Sequence, residues 1–249
     1  MKILKLVPLL SILLFGCKTD TKLTYEQSSL KGRDCSTCAV IRIEVPYALD
    51  DLKISRTINS VIDEEIIYAL KFDETLEVTS VEGAMASFDG SYQKMLAEFG
   101  GVAEPWEAKV SGAITFENSD LVTIALENYT YTGGAHGYFY KIFLSFDRKK
   151  GLEIEPGELF GNLDGFQQLA ESKFREAYEV ATDVNINATG FMFDNDTFHL
   201  PENFGFTAEG IELHYNQYEA ASYADGPLVV TISFTEANPF LKESYRVKP

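Results

Sequence analysis

Between positions 50 and 70, Ile54, Ile58, Val61, Ile62, Ile66 and Leu70 recur at helical spacing while Asp63, Glu64 and Glu65 fill the polar face. The spacing predicts an amphipathic helix. A second helical stretch runs from Val78 to Phe99, is weakened by Gly83 and Gly90, and ends at Gly100-Gly101. Ahead of both, Ala39-Val40-Ile41-Arg42-Ile43-Glu44-Val45 reads as a strand ending at Pro46. From Trp106 the period changes to two. Ala108 to Phe116, Leu121 to Tyr131 and Tyr138 to Phe146 read as three strands, and the turn Asn118-Ser119-Asp120 makes them an antiparallel meander. Arg148-Lys149-Lys150-Gly151 is a further turn. Beyond it, a helix over about 165–180 carries Phe166, Leu169, Phe174, Ala177 and Tyr178, and strands follow at Gly210 to Tyr215 and Leu228 to Phe234 with a long loop between them. Helices and antiparallel strands in separate runs predict an α+β fold, helices packed on antiparallel sheets, in two adjoining subdomains at 34–150 and 151–249.

The N-terminus follows a different rule. The apolar run Leu4 to Phe15 comes after Lys2, includes Lys5, and ends in Leu14-Phe15-Gly16-Cys17. It is shorter than the ~20 apolar residues needed to span a bilayer, and it has the form of a secretory leader. The Leu-x-Gly-Cys ending predicts cleavage after residue 16 and acylation of Cys17; an ordinary secreted leader with a chance cysteine is the alternative. Residues 17–33 are polar, without apolar periodicity, and read as a flexible tether. The expected location is the bacterial cell envelope, lipid-anchored at the outer membrane, facing either the periplasm or the medium.

Charge narrows the partners. The 249-residue chain carries −17, and loss of Lys2 and Lys5 with the leader leaves 19 basic against 38 acidic side chains, a net of −19. Such a field repels nucleic acid and draws basic proteins or cations, besides keeping the protein soluble. With 18 Phe, 13 Tyr and one Trp the chain is well supplied for a packed core. Apart from Cys17 the cysteines are Cys35 and Cys38, in Cys-Ser-Thr-Cys. Two thiolates with His136, His199 and His214 far off in sequence do not make a zinc site. The pair runs into a strand rather than opening a helix, which favours a disulfide clip outside the cytoplasm over a thiol oxidoreductase.

Serine-hydrolase elbows, zinc-protease helices, phosphate loops and dinucleotide fingerprints are all missing. Asp194-Asn195-Asp196 begins like a calcium loop but lacks the glycine and closing glutamate. No cofactor or metal is expected. Two segments remain. Tyr131-Thr132-Gly133-Gly134-Ala135-His136-Gly137-Tyr138 is a glycine-rich connection with a single titratable histidine, compatible with a plain hairpin turn or with a contact site. Tyr215-Asn216-Gln217-Tyr218-Glu219-Ala220-Ala221-Ser222-Tyr223-Ala224-Asp225-Gly226-Pro227 offers three tyrosines, suited to a recognition surface or to folding back on the core.

Together these segments, with the strand Val229-Val230-Thr231-Ile232, resemble the extracytoplasmic module of the anti-sigma factor RsiV, a lysozyme receptor, and the non-catalytic N-terminal part of the peptidoglycan deacetylase PdaC. The resemblance spans about 35–240 and implies an α+β envelope module of two parts, with a surface that grips a muramidase in the receptor relative. The chain departs from those relatives in lacking a sigma-binding arm, a membrane-spanning helix and a deacetylase domain, so neither signalling nor deacetylation is expected of it. The expected role is a binding module, not an enzyme. Its partner would be a basic envelope protein such as a lysozyme, or peptidoglycan, and its contacts would come from Tyr131, Gly133, Gly134, His136, Tyr215, Tyr218, Tyr223 and Asp225. The alternatives are a structural lipoprotein resting on peptidoglycan and a hydrolase in which His136, beside Asp225 or Glu219, acts as general base.

Overall fold

The computed structural model describes residues 22–73, 75–101 and 104–248. The expected leader and Cys17 lie outside these residues. Six strands form one sheet in sequence order: β1 (Tyr25–Lys31), β2 (Val40–Ala48), β3 (Glu107–Glu117), β4 (Leu121–Tyr131), β5 (Tyr138–Asp147) and β6 (Leu152–Ile154). Helices α1 (Lys53–Leu70) and α2 (Val81–Phe99) connect β2 to β3, which pair in parallel. All other neighbours in this sheet are antiparallel. The meander β3–β4–β5 is as the sequence predicts, and the fold is α+β.

Periodicity explains the helical layer. Ile54, Ile58, Ile62, Ile66 and Leu70 lie on one stripe of α1 and are all buried, in a cluster with Ile41, Ile43 and Val45 of β2 and Val122, Ile124 and Leu126 of β4. Each fully buried side chain of this kind contributes roughly 1.5–3 kcal/mol. Ser80 caps α2 by accepting from the Gly83 amide at 3.1 Å, and Gly100 ends it.

The expected tether is corrected by this sheet. Residues 25–31 are not flexible but form the edge strand β1, paired with β2 from Tyr25↔Ala48 to Lys31↔Arg42. Main-chain pairing holds an edge strand whatever its side chains, so a polar sequence conceals it. Leu23 anchors its start in the core.

A second sheet, β7 (Asn203–Phe206), β8 (Gly210–Tyr215) and β9 (Leu228–Ser233), is antiparallel throughout. β7 went unread because its four residues are too short to show a period. Helix α3 (Leu163–Ala177) buries Phe166, Ala170 and Phe174, and a four-residue helix, α4 (Phe234–Ala237), follows β9. Phe174 packs edge-on against Phe193 and Tyr215 at 5.2 and 5.6 Å between ring centres.

The sheets meet across β5 and β7. A Cβ on Gly205 would stand 2.5 Å from the Phe143 side chain, so only glycine lets these strands approach. Thr115 Oγ1 donates to Phe206 O at 2.7 Å, and Tyr245 Oη donates to the buried Asp147 carboxylate at 2.9 Å. Lys141 Nζ on β5 pairs with Glu212 on β8 at 2.8 Å, with both side chains less than a fifth exposed.

Candidate functional site: a clamp between the two sheets

The two segments set apart by their sequence come into contact. In the β4–β5 connection, Gly133 and Gly134 take φ of 97° and 94°, the region in which glycine is at little cost. A Cβ on Gly137 would lie 2.5 Å from the Tyr129 ring, so that ring rests directly on the loop backbone. Tyr131 Oη donates to Gly134 O at 3.3 Å. His136 Nδ1 lies 3.0 Å from Gly137 O; a carbonyl only accepts, so Nδ1 donates to it.

Tyr223 reaches this loop from the β8–β9 connection. Its hydroxyl donates to the same Gly137 carbonyl at 2.9 Å, and its ring stacks on His136 with centres 3.7 Å apart and planes inclined at 22°. Tyr218 stands 5.7 Å from Tyr223, 59% exposed, with φ of 70°. A left-handed backbone is costly for a bulky residue, so the surrounding bonds must hold it. Those bonds are specific. The Asn216 side-chain amide accepts from Lys141 N at 2.8 Å and donates to Lys141 O at 2.9 Å, filling the place of a strand partner on the free edge of β5. The Glu219 carboxylate accepts from the amides of Asn216 (2.8 Å) and Glu202 (2.6 Å).

Tyr131, Gly133, Gly134, His136, Tyr218 and Tyr223 therefore share one region. One expected contact residue is not on the surface, and another is engaged within its own loop. Tyr215 is fully buried in the second core, its hydroxyl donating to His199 O at 2.7 Å, because it lies on the inward face of β8. Asp225 is turned onto Ser222, whose amide and hydroxyl both donate to it. The carboxylates offered to His136 as base partners are thus committed elsewhere, Asp225 to Ser222 and Glu219 to backbone amides. Among the described residues the hydrogen-bond partner of His136 is Gly137 O.

Beside the loop lies an open groove of about 1020 Å³. Its further walls are Arg42, Glu104, Trp106, Glu107 and Tyr129 at one end of the first sheet. Glu107 pairs with Lys109 at 2.8 Å and with Arg42 at 3.5 Å. A second, smaller cleft of about 410 Å³ is lined by Tyr68 of α1, Tyr138 and Tyr140 of β5, Tyr218, Glu202 and Glu219. Burial, followed by the nearby Glu219 and Glu202 charges, pushes the Tyr138 hydroxyl pKa up, and burial raises Glu219 against its amide donors. Sequence reasoning missed this cleft; the signal was Tyr138-x-Tyr140, one face of a strand.

Cys35 and Cys38 are joined in a disulfide. Their turn is fastened to α2, where Gln93 donates to Thr37 O and the buried Asp89 accepts from Ala39 N at 2.8 Å. Among the described residues no group of three or more His, Cys, Asp or Glu could hold a metal ion, and no helix is long and apolar enough to cross a membrane.

Comparison with known proteins agrees with this layout. Residues 34–138 match the family model described as deacetylase PdaC, and residues 158–235 match one described as a protein of unknown function, DUF3298. The PdaC resemblance read from the motifs is thereby shown, and the Tyr215–Pro227 segment falls within the DUF3298 match. No curated protein matches. A DUF3298 family protein from Pseudomonas aeruginosa PAO1 has a crystal structure similar to this chain, at 19% identity and a TM-score of 0.66, covering 92% of this chain and 99% of that one. A DUF3298 family member from Bacteroides fragilis NCTC 9343 is similar at 18% identity and a TM-score of 0.68, covering 90% and 94%. At these identities the likeness is one of fold.

Proposed function

We propose that this chain is a lipid-anchored binding module of a bacterial cell envelope, tethered through Cys17, that captures a basic protein partner of the lysozyme type. The observation that carries the reading is the His136–Tyr223 stack. It ties the glycine loop of the first sheet to the tyrosine loop of the second and so fixes the groove wall before any partner arrives, which removes part of the ordering cost of association. The net charge of −19 left once Lys2 and Lys5 go with the leader supplies attraction at a distance, raising encounter rates with a cationic protein most at low ionic strength. A binding role also fits the commitment of Asp225 and Glu219 to other partners, which leaves His136 without the carboxylate a general base would use.

The test is calorimetric titration with lysozyme at low and moderate salt. Micromolar binding that weakens with salt and with His136→Ala or Tyr223→Ala is expected; no binding at micromolar protein refutes the reading. A second reading, a lipoprotein resting on peptidoglycan, draws on Trp106, Tyr129 and Tyr131 in the groove, rings on which sugars can stack. Failure to co-sediment with sacculi refutes that reading, and co-sedimentation that survives in Tyr131→Ala removes the groove rings as its site.

A further inference from the structure

The smaller cleft is charged in one sense only. Glu202 and Glu219 line it and no lysine or arginine does, while Glu65 faces Tyr140 from α1. Among the described residues none of these three glutamates pairs with a lysine or arginine; Lys141, the nearest base in sequence to Tyr138 and Tyr140, is held by Glu212. Tyr68, Tyr138 and Tyr218 stand 78%, 42% and 59% exposed, so their side chains are accessible to a ligand. Tyr218 is kept there in a left-handed backbone by the Asn216 and Glu219 bonds. Aromatic faces bordered by carboxylates, with no lysine or arginine among the described residues lining the cleft, form a receptor for a cation. A planar guanidinium suits it better than an ammonium, because it stacks on a ring while its edge donates to carboxylates.

We propose that the Tyr68–Tyr138–Tyr218 cleft is a cation-binding site that takes an arginine side chain of a partner protein, the rings stacking on the guanidinium, Glu202 accepting its N–H groups and Glu219 adding its charge from where the amides hold it. This names a contact of the partner suggested above and rests on that reading only for the source of the arginine. The site shares no lining residue with the groove at His136.

The full chain is titrated by calorimetry with hexa-arginine, hexa-lysine and hexa-glutamate peptides. Hexa-arginine is expected to bind, hexa-lysine more weakly and hexa-glutamate not at all. Tyr68→Ala combined with Tyr218→Gly, both at exposed positions, lowers hexa-arginine affinity about tenfold, the scale of a lost cation–π contact. Glu202→Gln weakens it too, whereas Glu98→Gln, the same charge change on exposed α2, does not. Absence of hexa-arginine binding, indifference to loss of the rings, or equal weakening by Glu98→Gln and Glu202→Gln overturns the proposal. Tyr131→Ala, at a residue that lines the groove and whose hydroxyl donates within its own loop, separates the two readings: it impairs lysozyme capture and leaves hexa-arginine binding unchanged. Lysozyme binding without peptide binding sinks the cleft alone, and peptide binding without lysozyme binding sinks the groove alone.

Discussion

Replacing Lys141 by Met tests what fastens the two sheets together. Lys141 Nζ and Glu212 Oε1 are 2.8 Å apart, with the side chains 15% and 17% exposed, and His214 Nδ1 is the other neighbour of that carboxylate at 3.2 Å. The His214 hydrogen bond first, and Lys141 second, hold the Glu212 carboxyl below its ordinary range against a burial cost that would raise it. Removing one partner of a buried pair costs about 3–5 kcal/mol, since the other charge stays desolvated. With His214 still in place the lower end applies, about 3 kcal/mol, or roughly 6–12 °C in Tm for a chain of this length. Lys141→Met with Glu212→Leu should recover most of the loss, because an apolar pair of similar volume replaces the ion pair. The substitution leaves the Lys141 backbone bonded to Asn216, so the tyrosine loop stays in place. Chemical denaturation of both single variants and the double variant gives the coupling. A single-variant loss below about 1 kcal/mol, or a double-variant loss equal to the sum of the singles, refutes the reasoning. The pH dependence has a defined sign. A depressed carboxyl pKa stabilises above the unfolded value of about 4.3 and loses that contribution as pH falls through the folded value, so acid sensitivity below about pH 4 should shrink in Lys141→Met.

Gly137→Ala places a Cβ where the Tyr129 ring now lies, so the ring must move off the loop; near-ultraviolet circular dichroism should change and lysozyme capture should fall several-fold while global stability drops by about 1–3 kcal/mol. Glu153 on β6 is pushed up to about 7, by partial burial first and then by the charges of Glu155, Glu65 and Glu64. A raised carboxyl pKa opposes folding progressively as pH climbs from about 4.3 through that value, so Glu153→Gln should stabilise at pH 8 and do little at pH 4. Because the side chain keeps solvent access, the gain is screened to below about 1 kcal/mol, read as a Tm difference between the two pH values.

What was legible in the sequence follows from how each element is held. α1 announced itself because five of its inward residues sit on a single stripe, and β3 to β5 because alternation and a tight turn act together over adjacent residues. β1 was invisible, being held by its main chain to a partner strand rather than by its side chains. The parallel pairing of β2 with β3 was equally hidden, since two helices separate them and no local pattern records who pairs with whom. At the site, the glycine loop and the tyrosine loop each stood out. Their contact did not: 87 residues separate His136 from Tyr223, and nothing in either stretch names the other. Tyr215 shows the converse error. It was grouped with Tyr218 and Tyr223 by spacing, yet strand alternation on β8 turns it inward.

That separation bears on how the site is distributed along the chain. His136 and Gly137 lie within the segment that matches the PdaC model, and Tyr218 and Tyr223 within the segment that matches DUF3298. Neither segment alone builds this contact, because the stack and the Tyr223 bond to the Gly137 carbonyl both cross from one to the other. The contacts that unite the two sheets are thus also those that fix the recognition loops. A substitution at the His136–Tyr223 stack should therefore loosen the binding surface before it unfolds either core, since neither ring belongs to the two clusters of buried side chains.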